Sequence, residues 1–135
     1  MADRAKVESI LREMYEARAR GDVDALMHHC DEGMHFCISG CSSASPVPLA
    51  VEGGSSVREA VTSLVAHFKF SEPDLRALVV EGGKAAAHWR VQVRPATGGD
   101  EVETELLDLV EFRGDRIVSY RQFVDTALAG RLLAA

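Results

Sequence analysis

The sequence lacks the features that mark several broad functional classes. Its 15 Lys and Arg residues form no basic block, and the formal net charge is −6. Nucleic acids and anionic membrane surfaces attract clustered positive charge, so neither is a predicted partner. No uninterrupted apolar stretch approaches the roughly 20 residues of a membrane span. The charged first segment, MADRAKVESI, predicts no signal peptide.

Cysteine is scarce: there are three, an odd number. With no secretory signal predicted, we expect reduced thiols in a cytoplasmic protein. All three cysteines lie in HHCDEGMHFCISGC, residues 28–41. Cys37 and Cys41 have no second pair, and the adjacent His28 and His29 would lie about 100° apart on a helix, so no metal site is predicted. The glycine pairs form no nucleotide-binding motif, so no cofactor is predicted either.

The first half of the chain contains patterns typical of helices. Apolar positions at helical spacing and turn residues predict helices over residues 3–20, 23–30 and 56–68, with a strand over 33–39. Gly21 is predicted to end the first helix and Asp22 to cap the second. Ser56 and Glu59 fit a capping box for the third. Residues 40–56 are rich in Ser, Pro and Gly and predict a loop, which could cover a site.

The second half of the chain contains patterns typical of β-strands. LRALVVEGG, KAAAHWRVQVR, EVETELLDLVEF and RIVSYRQFV are separated by short connections that contain glycine, which is typical of antiparallel hairpins. Asp125 or Thr126 is predicted to cap a last short helix. Helices segregated from a mainly antiparallel sheet predict one α+β domain over residues 1–135.

The order of these elements resembles that of a known family. With Gly21-Asp22, Asp31-Glu32 and the stretch 106–118, LLDLVEFRGDRIV, the chain resembles the nuclear transport factor 2-like superfamily. That superfamily includes SnoaL-like polyketide cyclases and ketosteroid isomerase. The resemblance implies a cone-shaped barrel, whose curved sheet wraps around three helices from the first half of the chain. It also implies a deep apolar pocket and a homodimer packed through the sheet.

The strand EVETELLDLVEF supports a dimer independently. One face is predicted to carry Thr104, Leu106, Asp108, Val110 and Phe112. The opposite face carries Leu107 and Leu109, so the strand is apolar on both sides. Such strands are usually covered on both faces. Because the helices are too few to cover both, a second subunit is the predicted cover for the outer face.

Asp108 is the first candidate functional residue. A carboxyl group on an apolar face is costly to ionise, so we expect a raised pKa, which would suit an acid or a hydrogen-bond donor. The alternative is a structural Asp satisfied by an Arg, a Tyr hydroxyl or backbone donors. By resemblance, Asp108 matches an oxyanion-hole Asp of ketosteroid isomerase. The isomerase's Tyr position falls at Met14, next to Tyr15, and its base position falls at Cys37, so steroid isomerisation is not predicted.

Further candidates come from the other strands. His35 and Cys37 share a strand face that, by resemblance, looks into the pocket, either as a base–nucleophile pair or as a polar wall with an inert thiol. Tyr120 and Gln122 match pocket-lining positions and could donate hydrogen bonds to a ligand. Trp89 is expected in the core or the pocket wall, although the opposite strand phase stays open.

These residues predict a protein that binds a small apolar organic molecule. If it is an enzyme, it would be a cofactor-free isomerase, cyclase or lyase-like enzyme that acts on a carbonyl-containing substrate through Asp108 and His35. The first alternative is a non-catalytic ligand-binding or dimerisation module of the same fold. The second is a thiol-based activity at Cys37.

Overall fold

The computed structural model describes residues 3–38 and 49–134. In chain order its elements are α1 Arg4–Arg20, α2 Val23–Met27, β1 Cys30–Ile38, β2 Leu49–Glu52, α3 Gly54–His67, β3 Phe68–Glu81, β4 Lys84–Pro95, β5 Val102–Arg113, β6 Arg116–Phe123 and α4 Thr126–Ala134. The curved, mostly antiparallel sheet and its helices confirm the predicted α+β class. Within the described ranges, no helix is long and apolar enough to cross a membrane.

The helix ends follow the side chains that satisfy their free backbone groups. Gly21 ends α1 in the left-handed conformation, with φ of 74°, where a side chain would add strain. Asp22 accepts a hydrogen bond from Ala25 N at the start of α2, as predicted. Asp125 does the same for α4 through Leu128 N. The predicted capping box of α3 is wrong, because that helix begins at Gly54 and has no side-chain cap.

The strands form one sheet in the order β2-β1-β6-β5-β4-β3. Neighbouring strands are antiparallel, except that β1 runs parallel to β6. The early strand β1 therefore lies beside the last strand of the sheet, and side chains from the two ends of the chain meet there. Phe36 lies opposite Tyr120 in this pairing.

The region around β1 differs from its predicted layout. The strand begins at Cys30 and not at residue 33, because the predicted turn is part of an irregular strand segment whose register shifts between Cys30 and His35. Part of the predicted loop is also a strand: β2 pairs with β1, and Gly53 N donates to Met34 O. This pairing satisfies backbone hydrogen-bonding groups along the edge of β1 that faces away from β6. Positions 40–48 of that loop lie outside the described residues.

The core lies between the helices and the inner face of the sheet. The buried side chains of β4 include Trp89, Val91 and Val93. This alternation settles the strand phase that the sequence left open and confirms the core position of Trp89. The predicted alternation of β5 is also confirmed. Asp108 is 0% exposed on the inner face, whereas Leu107 and Leu109 are 41% and 42% exposed on the outer face.

Candidate functional site

A pocket of about 120 Å³ lies between the helices and the inner face of the sheet. Apolar side chains from all four helices and from β1 and β3–β6 make up most of its wall. An apolar cavity of about 150 Å³ can hold a molecule the size of benzene, so this pocket suits a ligand of about one ring. The polar or charged residues of the wall are Tyr15, Arg18, Thr104, Tyr120, Gln122 and Asp125, together with Cys30.

Three of these residues converge on Asp108, which lies directly behind the wall. The hydroxyl groups of Tyr15 and Tyr120 both donate to Asp108 Oδ2, at 2.6 Å and 2.5 Å. Gln122 Nε2 donates to Asp108 Oδ1 at 3.1 Å and also to the Tyr15 hydroxyl at 3.2 Å. The carboxyl group thus has three donors, and three of the four residues in the cluster also face the pocket.

Strand pairing and helix packing bring this cluster together. Asp108 on β5 lies opposite Gln122 on β6, and Tyr120 follows on the same face of β6 by the two-residue period. Tyr15 comes from α1, where its ring stacks on Trp89 with the ring centroids 3.8 Å apart. Trp89 itself does not line the pocket, so its contribution is to hold Tyr15 against Asp108.

Burial dominates the acid–base properties of the cluster. It raises the pKa of Asp108 from 3.8 to about 6, although hydrogen bonds from Tyr120, Tyr15 and Gln122 oppose the rise. The pKa values of both tyrosines are raised well above 10.0, first by burial and then by the nearby Asp108 charge. A carboxyl group that changes protonation near pH 6 is therefore coupled to hydroxyl groups that stay protonated.

The structure separates the predicted site residues into two groups. Met14, Tyr15, Tyr120 and Gln122 line the pocket, as the sequence led us to expect. His35 and Cys37 do not, because the β1 side chains that face the pocket are those of Cys30, Met34, Phe36 and Ile38. Side chains alternate along a strand, so His35 points to the other side of the sheet. The predicted inward phase of β1 is wrong, and His35 is not brought to Asp108.

The cysteines also depart from expectation. Cys37 is buried and disulfide-bonded, so the expectation that its thiol is reduced is wrong, and in this form it has no thiolate to act as a nucleophile. Cys30 is a free cysteine that lines the pocket. Burial raises the pKa of its thiol to about 11, which keeps it protonated and unreactive at neutral pH.

Arg18 is a pocket residue that the sequence reasoning missed. It lies one helical turn beyond Tyr15 on α1, and residues three apart share a helix face. Its guanidinium group donates to Phe68 O and Leu64 O and lies 3.9 Å above the centre of the Phe70 ring. Burial lowers its pKa to about 10, so it is charged at neutral pH. Its spacing of three residues from Tyr15 places both side chains on one helix face, and this spacing could have indicated that Arg18 faces the pocket.

Metal ligands do not cluster in the described part of the chain. Within residues 3–38 and 49–134, no three His, Cys, Asp or Glu side chains lie close enough together to hold a metal ion.

Comparison with known proteins agrees with this architecture. Residues 11–120 match the sequence profile of the SnoaL-like domain, so the chain belongs to that family, within the nuclear transport factor 2-like superfamily. A search of curated proteins finds no match.

Several solved structures share the whole fold. A nuclear transport factor 2-like protein of unknown function from Burkholderia pseudomallei is 18% identical over 100% of both chains, with a TM-score of 0.78. A candidate isomerase from Bacillus subtilis is 15% identical over 99% of this chain and 96% of its own, with a TM-score of 0.86. A candidate SnoaL-like polyketide cyclase from Jannaschia sp. CCS1 is 15% identical over 100% and 99%, with a TM-score of 0.77. At these identities the likeness shows the fold alone.

Proposed function

We propose that this protein binds a small, mainly apolar carbonyl compound and catalyses proton transfer next to the carbonyl group without a cofactor, as in isomerisation or aldol cyclisation. The supporting observation is the convergence of Tyr15, Tyr120 and Gln122 on the buried Asp108 at the wall of an apolar pocket. Hydrogen-bond donors fixed in a dry site stabilise an oxyanion more strongly than water does.

The number of donors available to a ligand depends on the protonation of Asp108. When Asp108 is ionised, both tyrosine protons point to its Oδ2 atom. When Asp108 is protonated, it can donate its own proton to one tyrosine oxygen. That tyrosine can then turn its hydroxyl proton toward a carbonyl oxygen in the pocket. The cluster would in this way deliver a proton, or a strong hydrogen bond, to an enolate oxygen.

The proton that leaves the substrate carbon needs a separate acceptor. Asp125 is the carboxyl group in the pocket wall, and it is exposed at the start of α4. Its Oδ1 atom accepts a hydrogen bond from Leu128 N, which leaves Oδ2 available. We assign the base role to Asp125 and the acid role to the Asp108 cluster, because two carboxyl groups in different environments divide such roles.

The test uses a reaction that does not require the natural substrate. Cyclohexanone is a one-ring ketone, and the exchange of its α-protons in D₂O can be followed by proton NMR. We expect the wild-type protein to accelerate exchange over buffer. Since general acid–base groups contribute on the order of 10²–10⁴-fold, Asp108→Asn should lose at least about tenfold of that acceleration. Asp125→Asn should lose it too, while Asn still caps α4.

The matched control is Glu105→Gln on the outer face of β5, where Glu105 pairs with His88. It should exchange the ketone at the wild-type rate. If wild-type protein gave no acceleration, or if Asp108→Asn kept it, the catalytic proposal would be lost.

One observation favours a second candidate function, a binding module without catalysis. In the cluster, each tyrosine hydroxyl already donates to Asp108, so its hydrogen bonds are satisfied without a ligand. In that case Asp108 would hold the pocket wall rigid, as buried and satisfied polar networks do. Saturable ketone binding with no α-proton exchange would support this candidate over the enzyme.

We also propose that the protein forms a homodimer through the outer face of the sheet. Leu107, Leu109 and Phe123 are exposed there by 41%, 42% and 37%. Leu107 lies opposite Phe123 in the β5–β6 pairing, so these side chains form one continuous apolar surface. A second copy of the same surface would remove it from water.

A further inference from the structure

Arg18 is the cationic side chain in the wall of a mainly apolar pocket. It is half-buried, on the face of α1 that also carries Tyr15. A buried charge is costly unless hydrogen bonds or a counter-charge stabilise it. The partners of Arg18 therefore indicate what a ligand could add.

The backbone satisfies only part of the guanidinium group. Its Nη1 donates to Phe68 O at 2.8 Å and its Nη2 to Leu64 O at 3.2 Å. Leu64 O belongs to the last turn of α3, so Arg18 also caps the C-terminal end of that helix. A guanidinium has five N–H donors. Two are used here, and the described residues supply no other hydrogen-bond acceptor for Arg18.

The charge of Arg18 has no carboxylate partner in the described part of the chain. Among the described residues, no Asp or Glu forms an ion pair with Arg18. Asp125, the carboxylate in the pocket wall, is exposed and caps α4. Asp108 takes its three hydrogen bonds from Tyr15, Tyr120 and Gln122. The pocket thus holds a positive charge with unused donors, surrounded by apolar side chains.

We propose that Arg18 binds a carboxylate group carried by the pocket ligand. The guanidinium fork matches a planar carboxylate, and such charge-assisted hydrogen bonds are strong where water is excluded. Because Tyr15 lies one turn away on the same helix face, the ligand would place its carboxylate at Arg18 and its carbonyl oxygen at the Asp108 cluster. The ligand class is therefore a small keto acid with an apolar body. This inference rests on the proposed ketone-binding function and specifies its ligand.

The structural role of Arg18 makes a different prediction. If the residue only caps α3 and stacks on Phe70, its replacement would weaken all ligands equally through a looser pocket. If it binds a carboxylate, its replacement would weaken anionic ligands alone. The ratio of two affinities separates these roles, because general damage to the pocket cancels in the ratio.

The probes are phenylacetate and phenylacetamide, which share one ring and differ in charge. Their dissociation constants would be measured by NMR titration at pH 7.5. We expect wild-type protein to bind phenylacetate at least about tenfold more tightly than the amide, as charge-assisted hydrogen bonds of this kind imply. Arg18→Met should bring the ratio close to one while amide binding persists, and Arg18→Lys should keep part of the preference.

The matched control is Arg20→Met, because Arg20 is an exposed residue of the same helix that pairs with Asp22. It should keep the wild-type ratio. The proposal would be overturned if wild-type protein showed no preference for phenylacetate over phenylacetamide, or if it bound neither probe up to 10 mM. It would also be overturned if Arg18→Met kept the wild-type ratio of the two dissociation constants. If the wild-type protein catalysed cyclohexanone exchange but showed no preference for phenylacetate, only the proposed role of Arg18 would be overturned. The proposed catalysis would stand.

Discussion

The indole ring of Trp89 lies flat against the phenol ring of Tyr15, with the centroids 3.8 Å apart and the planes 10° apart. The hydroxyl of Tyr15 donates to Asp108, so a single side chain connects the tryptophan with the buried carboxyl group. The chain has one tryptophan. Its fluorescence therefore reports on the candidate site without a label.

We predict that the tryptophan emission changes with a midpoint near pH 6. Burial raises the pKa of Asp108 to about 6, and the charge that forms there acts on the stacked Tyr15 and Trp89 rings. A fluorescence titration from pH 4 to 8 checks this, and Asp108→Asn should remove the transition. His88→Gln changes the residue next to Trp89 and leaves the Asp108 cluster intact, so it is the control and should keep the transition.

The pH dependence of stability should also trace to Asp108. Its pKa is higher in the folded chain, about 6 against 3.8, so the folded state holds the proton more tightly. The resulting stabilisation is fully present below pH 3.8 and is lost as pH rises through about 6. Its size is about 3 kcal/mol of unfolding free energy.

Urea unfolding at pH 4, 5, 6 and 7 measures this contribution. The difference in unfolding free energy between wild type and Asp108→Asn should shift by about 2 kcal/mol against wild type between pH 4 and pH 7. A difference that stayed constant with pH would mean that the carboxyl group does not titrate between these values.

Removing a hydroxyl donor should raise the pKa of Asp108 further. The hydrogen bond from Tyr120 stabilises the ionised carboxyl and is the largest of the three that lower its pKa. Tyr120→Phe should therefore move the titration upward, measured by the ¹³C shift of the Asp108 carboxyl carbon. Phe36→Leu removes a ring that packs near Tyr120 but donates no hydrogen bond, so it should move the titration less. An unchanged or lower midpoint in Tyr120→Phe would contradict the network.

A charge on the outer face of the sheet should break the proposed dimer. Leu109→Glu places a carboxylate where Leu109 is 42% exposed on β5, and burying it between two copies would be costly. Leu133→Glu is the control, since Leu133 is 46% exposed on α4 and lies off the sheet. Sedimentation velocity should give a dimer for wild type and the control, and a monomer for Leu109→Glu. If the wild-type protein sedimented as a monomer, the proposed dimer would be wrong.

Local patterns were sufficient to predict much of the architecture. The alternation of β5 is a two-residue period, and it placed Asp108 on the buried face. Gly21 and Asp22 act through their own backbone and side chains, so their positions at the end of α1 and the start of α2 could be predicted. Not every local pattern was a reliable guide, because Ser56 and Glu59 fit a capping box that α3 does not form.

The candidate site depended on relationships that no short stretch contains. Tyr15 and Asp108 are 93 positions apart in the sequence, and their hydrogen bond follows from the packing of α1 on the sheet. The predicted phase of β1 came from the resemblance and was wrong, because Phe36 pairs with Tyr120 and the even-numbered side chains of the strand face the pocket. Arg18 was overlooked because most helical arginines lie in solvent, and only tertiary packing turns this one inward.

The parallel pairing of β1 with β6 has a consequence for the order in which the protein assembles. During synthesis α1, α2 and β1 emerge first, while β6, with Tyr120 and Gln122, emerges after β5. Until β6 inserts between β1 and β5, the sheet is split into two parts and Asp108 lacks two of its three donors. Such pairing between distant segments is slow to form. The acid–base cluster is therefore expected to be among the last features to form, and a chain that stops before β6 would contain helices without a functional pocket.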